Sequence, residues 1–325
     1  STILNGITYS NELNLFVAVG SSGIILTSSD GITWTSRTSG VSTILYGITY
    51  SNELNLFVAV GSSGIILTSS DGITWTSRTS GVSTILNGIT YSNELNLFVA
   101  VGSSGIILTS SDGITWTSRT SGVSANLQNI TYSDELNLFV AVGSSGIILT
   151  SSDGITWTSQ TSGVSSTLRS VTYSDELNLF VVVGNSGTIL TSSDGITWTS
   201  QISGVSSTLR SVTYSDELNL FVAVGESGII LTSSDGITWT SRTSGVSTIL
   251  NGITYSDELN LFVVVGNSGT ILYSVFSLAE NQIQNISADS DIGMNLGVGD
   301  NQFRINKDGG NMVVRIKFRQ KYIGV

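Results

Sequence analysis

Few side chains in this sequence are capable of ligand chemistry, and two of them are singled out by their spacing. Arg169 and Arg210 stand 41 residues apart, and Glu226 follows Arg210 by 16. A guanidinium presents a fork of N–H donors that matches a carboxylate or phosphate, so two of them on neighbouring structural units suit an anionic or hydroxyl-rich ligand. The 325 residues contain no histidine, cysteine or proline. That composition excludes thiolate chemistry, disulfides, His-ligated zinc and imidazole acid–base catalysis.

The 41-residue interval is a period of the whole chain. A unit beginning at Ser1 restarts at Ser42, Ser83, Ser124, Ser165, Ser206 and Ser247, six times complete and once truncated after Ser274. Each unit holds four strand-sized runs separated by turn residues, in the first copy Leu4 to Ser10, Leu15 to Val19, Ile24 to Ser28 and Thr33 to Thr38. The second run, LFVAV, is apolar without alternation, as expected of a strand covered on both faces. The fourth alternates Ile32 and Trp34 with Thr33, Thr35 and Arg37, which predicts an outer edge strand with its Thr and Arg side chains toward water. Four antiparallel strands per unit of this length predict an all-β fold, a seven-bladed β-propeller of 41-residue four-stranded blades, in preference to a β-solenoid. The composition changes after Ser274, so residues 1–274 read as the propeller and residues 275–325 as a small C-terminal β module. The truncated seventh unit lacks its fourth strand. Either VFSLAENQIQNI after Ser274 supplies it, which is the expectation taken here, or residues preceding Ser1 in a longer parent chain do.

The run TSSDGITW recurs with Asp30, Asp71, Asp112, Asp153, Asp194 and Asp235, each followed four residues later by Trp34, Trp75, Trp116, Trp157, Trp198 and Trp239. It resembles the Asp box of sialidase-like propellers and of photosystem II assembly-factor-type propellers, with one residue fewer between Asp and Gly. The resemblance implies a propeller in which the Asp caps its turn, the Gly takes a positive φ and the Trp packs over the hairpin. It does not imply catalysis. Sialidases need an arginine cluster, a Tyr/Glu nucleophile pair and an acidic proton donor that differ from blade to blade, and near-identical blades lack that asymmetry. No enzymatic activity and no cofactor are expected.

Propeller topology puts the inter-blade and second-to-third-strand loops on one face and the other two loop sets on the opposite face. Variation between copies concentrates on the first of these. Arg169 and Arg210 have Asn5, Tyr46, Asn87, Gln128 and Asn251 as equivalents, and the turn serines become Asn185, Glu226 and Asn267 in the last three copies. Tyr46, Gln128, Arg169, Arg210, Asn185, Glu226 and Asn267 are therefore the candidate ligand-binding residues, with unselected drift as the alternative. All six arginines of the repeats map to this face, and Glu12 with its equivalents and the six turn aspartates map to the other. One carboxylate per loop is not a calcium cage, so no metal site is expected and these acids read as solvated charge.

A net charge of −11 argues against nonspecific nucleic-acid binding. The chain begins at Ser1 without Met, which suggests a fragment or a processed chain; no signal peptide is seen and no run is long enough to insert in a membrane. In the last fifty residues, NQFRIN and MVVRIKFRQKYIGV alternate around a Gly-rich Lys307-Asp308-Gly309-Gly310 link, which predicts a β-hairpin. This ending, GDNQFRIN followed by VRIKFRQKYIGV, resembles the C-terminal end of distal tail proteins of phages and prophages. The resemblance implies a place at a phage tail tip in the virion, other tail proteins as partners, and host cell-wall glycan or anionic polymer as a ligand of the Arg-bearing face. The alternative is a structural protein-interaction scaffold or spacer without a ligand of its own.

Overall fold

The apolar run LFVAV lies at the middle of every sheet in the computed structural model, which describes residues 2–274 and the strand Phe318–Lys321. In the first blade Phe16, Val17, Ala18 and Val19 are all fully buried. Side chains alternate across a strand, and here the two sets go to different neighbours. Phe16 and Ala18 pack on Leu261, Val263 and Val265 of the seventh blade, while Val17 and Val19 pack on Leu45, Phe57 and Ala59 of the second. The lack of alternation in the sequence thus reflects two interfaces, one on each side of the same strand. Seven such inter-blade clusters close the ring, the last joining Val222 and Val224 to Phe262 and Val264.

Seven four-stranded antiparallel sheets form the blades. The first consists of Leu4–Ser10, Leu15–Gly20, Ile25–Ser28 and Thr35–Arg37, hydrogen-bonded in chain order from the channel outward. The fourth strand is shorter than its sequence run because the Asp30 turn extends through Thr33. In all seven blades the first strand carries a register shift against the second, between Leu4 and Gly6 in the first blade and between Leu168 and Ser170 in the fifth. The skipped residue is Asn5 or its equivalent, so the first-strand candidates Tyr46, Gln128, Arg169 and Arg210 sit on β-bulges, a feature that re-aims a side chain. Between second and third strands the backbone turns through Ser22 at φ 56° and Gly23 at φ 70°. A Cβ on Gly23 would collide with the Val41 carbonyl, so this tight turn admits only glycine.

The seventh blade corrects one expectation. Its third strand, Ile271–Ser274, pairs antiparallel with Phe318–Lys321, in the register Ile271 to Lys321 and Ser274 to Phe318. The fourth strand therefore comes from near the end of the chain. VFSLAENQIQNI, proposed for that place, lies outside the described residues, as does the expected hairpin apart from this strand. Any alternating segment satisfies a bare sheet edge, and local pattern does not choose among them. Ring closure does not rest on this strand alone, because Leu261, Val263 and Ile271 pack directly on Leu4 and Phe16.

Two stability measurements separate these contributions. Phe139→Ala, at a fully buried side chain, is expected to cost about 3–5 kcal/mol in urea unfolding. Deleting residues 318–325 is expected to lower the thermal midpoint by less than Phe139→Ala does and to leave the far-ultraviolet circular dichroism unchanged. Loss of the sheet signal on that deletion would show that the ring depends on its last strand.

Candidate functional site at the channel mouth

The seven first strands enclose a central channel, and their bulges put one variable side chain per blade at its wall. The cavity measures about 490 Å³ and is lined by Tyr46, Gln128, Arg169 and Arg210 among others. What each bulge residue does depends on its partner. Asn5, Asn87 and Asn251 reach across the blade interface, their Nδ2 donating to the carbonyls of Leu45 at 2.9 Å, Leu127 at 2.8 Å and Leu4 at 2.9 Å. In the fourth and fifth blades the next residue accepts instead: Asn129 Oδ1 from Val171 N–H at 3.2 Å, and Ser170 Oγ from Val212 N–H at 3.3 Å. These side chains satisfy backbone groups of a neighbour, which is a structural role.

The last three blades couple the bulge to the turn between second and third strands. Arg169 Nε donates to Asn185 Oδ1 at 2.9 Å, Arg210 ion-pairs with Glu226 at 2.6 Å, and Asn251 donates to Asn267 Oδ1 at 3.0 Å. The two variable positions noticed in the sequence are thus one feature, 16 residues apart along the chain. Tyr46 and Gln128 line the same channel without a hydrogen bond to another described residue. Four of the seven candidates, Tyr46, Gln128, Arg169 and Arg210, thus line the channel, and the other three are engaged by bulge residues of its wall, Asn185 by Arg169, Glu226 by Arg210 and Asn267 by Asn251.

The charges at this mouth are unevenly compensated. Glu226 has its carboxyl pKa lowered, first by the hydrogen bond from Arg210. Arg169 is pushed below the usual guanidinium range, first by burial and then by the positive charge of Arg210, with Glu226 acting the other way. A guanidinium does not deprotonate in a protein, so Arg169 remains a cation in a setting that favours an added anion. Arg210 Nε is buried without a hydrogen-bond partner among the described residues.

The other four arginines correct a second expectation. Arg37, Arg78, Arg119 and Arg242 do not simply face water. Each Nε donates to a threonine hydroxyl on the adjacent third strand, Thr27, Thr68, Thr109 and Thr232, at 2.8–2.9 Å. Gln160 and Gln201 make the same bond to Thr150 and Thr191. Because a neutral amide replaces the guanidinium there, the position serves sheet pairing rather than anion capture.

On the opposite face the aspartate turns close on themselves. Asp30 Oδ1 accepts from Ile32 N–H at 2.8 Å, Thr33 N–H at 2.6 Å and the Ser28 hydroxyl at 2.9 Å, and Trp34 Nε1 donates to the Gly31 carbonyl at 3.1 Å. The set recurs at Asp71 with Trp75, Asp112 with Trp116, Asp153 with Trp157, Asp194 with Trp198 and Asp235 with Trp239. Gly31, at φ 69°, seats this turn on the preceding blade, where a Cβ would meet Leu261 Cδ2 at 2.5 Å. Backbone hydrogen bonds from Thr115 and Ile114 hold the Asp112 carboxyl down at about 2, and Thr197 and Ile196 do the same for Asp194. No group of three or more potential ligands that could hold a metal occurs among the described residues.

With this geometry in place, the comparisons bear on the fold. The chain is similar to YCF48 from Cyanidioschyzon merolae, at a TM-score of 0.64 and 21% identity, over 84% of this chain and 94% of that one. It is also similar to YCF48 in a structure bound to D1 peptide, at 0.65 and 19%, over 85% and 92%. The shared property is the all-β propeller of seven four-stranded antiparallel blades. No protein-family profile matches the sequence, and no curated protein sequence matches it.

One pH dependence follows from an arc of acids on the face opposite Arg169. Asp134, Asp175 and Asp216 have raised pKa values, first through burial and then through the aspartate of the next blade; Asp257 is raised by burial and then by Glu217. A carboxyl raised on folding stabilises the folded state below its unfolded pKa of about 3.9, and that contribution is lost as pH rises through the folded value. The first three blades carry Asn11, Asn52 and Asn93 at this position. Replacing all four aspartates with asparagine is expected to raise the urea midpoint at pH 7. The gain should vanish near pH 3.5, below the unfolded carboxyl value, and a gain that persists there would exclude the charge explanation.

Proposed function

We propose that this chain is a non-enzymatic protein-interaction scaffold whose arginine-bearing channel mouth receives an acidic segment of a protein partner. The unequal pairing of two neighbouring guanidiniums carries the reading. Arg210 is neutralised by Glu226, whereas Arg169 is held only by the neutral amide of Asn185. That bond uses Arg169 Nε and leaves the terminal N–H groups to a carboxylate, which would be bound as a charge-assisted, forked pair. Tyr46 and Gln128 supply further polar contacts around the same opening. The similar propeller solved with D1 peptide supports a peptide as the kind of partner. Among the described residues Glu226 is the one acid at this mouth and is already engaged, which supports binding rather than acid–base turnover.

Titration calorimetry with a peptide ending in Asp-Glu and a free carboxylate tests this. Arg169→Gln is expected to weaken binding about tenfold, roughly 1.4 kcal/mol, and Glu226→Gln to strengthen it several-fold by releasing Arg210. Wild-type affinity in both variants would remove the mouth as the site.

The C-terminal sequence favours a second reading. Its likeness to phage distal tail proteins supports a scaffold carried in a tail tip, with other tail proteins as neighbours and host wall glycan or anionic polymer at the same mouth. Retention on purified Gram-positive cell walls is expected to fall in the double variant Arg169→Gln, Arg210→Gln. Equal retention of variant and wild type would leave that ligand without a site.

A further inference from the structure

The face opposite the arginines carries a ring of exposed aliphatic side chains. Of thirteen large hydrophobic residues exposed among the described residues, twelve lie in first-to-second-strand loops or third-to-fourth-strand turns, among them Leu136, Ile155, Leu177 and Ile196. Only Ile202 lies elsewhere. The turns are seated against the preceding blade, Gly195 next to Leu138 and Gly236 next to Leu179. Each turn, and the isoleucine that follows its glycine, therefore lies at a blade boundary. Scattered exposed aliphatics are ordinary, whereas these are confined to one face and recur around it.

The charges on this face select the partner. Seventeen of the eighteen carboxylates between residues 1 and 274 lie here, Glu226 being the exception, and no lysine or arginine of residues 2–274 does. The four aspartates of the arc described above are close enough to disfavour one another's ionisation. A cationic partner relieves that repulsion, while an anionic polymer or a nucleic acid is repelled. A bare divalent ion lacks the convergent ligands it needs and would leave the aliphatic ring uncovered.

We infer that this face docks a cationic protein segment in which lysines or arginines alternate with aliphatic side chains. The aliphatic residues of such a segment cover the leucine and isoleucine ring, and its cations lie among the carboxylates of neighbouring loops. Because the same loop and turn repeat around the ring, a long segment engages several blades and gains by multivalency. The surface is independent of the arginine mouth, which is on the opposite face.

Fluorescence anisotropy on the full chain, at 0.15 M salt, tests the inference with two octapeptides of equal charge, one alternating Lys and Leu and one alternating Lys and Ser. The Lys–Leu peptide is expected to bind at least tenfold more tightly. The exposed-site double variant Leu136→Ser, Leu177→Ser is expected to lose about fivefold of that affinity, and Arg169→Gln none of it. Equal affinity for the two peptides, or an unaffected leucine variant, overturns the inference by reducing the face to general charge attraction. Tighter peptide binding after Arg315→Glu and Lys317→Glu would also overturn it, by showing that the chain's own C-terminal segment occupies the face.

Discussion

The structure depends on the packing of each second strand between two neighbours. A strand whose alternate side chains serve different blades cannot satisfy both in isolation, so no blade has a complete core of its own and the ring is the unit that buries apolar area. This explains why the repeats are so alike. Phe57 and Ala59 must fit Val17 and Val19 of the blade before, and Val58 and Val60 must fit Phe98 and Ala100 of the blade after. A change at either set alters two interfaces, and closely packed interiors respond to even one methylene. The one variation inside the run, Val182 and Val264 in place of alanine, stays within the same alternation.

Freedom to vary is found where the ladder is already interrupted. The bulge in each first strand removes one residue from pairing and turns it toward the channel or the next blade, so Asn, Tyr, Gln and Arg all stand there without disturbing the sheet. Hydrogen bonding across the blade interface takes two forms as a result. Some blades donate from the bulge asparagine to a neighbour's leucine carbonyl, and others accept from a neighbour's valine N–H one residue later. Glycine accompanies the first form because the strands approach closely there, a Cβ at Gly6 meeting the Tyr46 carbonyl oxygen at 2.6 Å.

Much of this was legible in the sequence because period and alternation are local. The period of 41 and the run LFVAV specify the blade count and the buried strand, and the first strand begins and ends where its pattern does. The bulges were not legible, since a register shift is a property of a pair of strands and leaves no mark in either one. Variation at Asn5 and its equivalents was the visible signal, and its cause was hidden. For the same reason Arg37 looked like a solvated edge residue, because its Thr27 partner is fixed only by the pairing of Ile25 with Arg37. The last strand was missed through non-locality, with 43 residues separating Ser274 from Phe318.

A ring of near-equal blades offers any ligand seven near-equal environments, and distinct chemistry arises only where that equality is broken. At the channel mouth Tyr46 and Gln128 break it singly, and one arc breaks it in matched pairs. Arg169, Arg210 and Asn251 are consecutive bulge residues, and each is matched by a changed turn residue in its own blade. The matching gives each half-buried guanidinium a hydrogen-bond partner in its own blade. It is incomplete at Arg169, whose partner is an amide where Arg210 has a carboxylate. Full pairing would leave a neutral, self-satisfied arc with no electrostatic reason to hold a ligand. On the proposed reading Arg169, hydrogen-bonded to an amide and sharing Glu226 only through its field, is the charge that meets a partner.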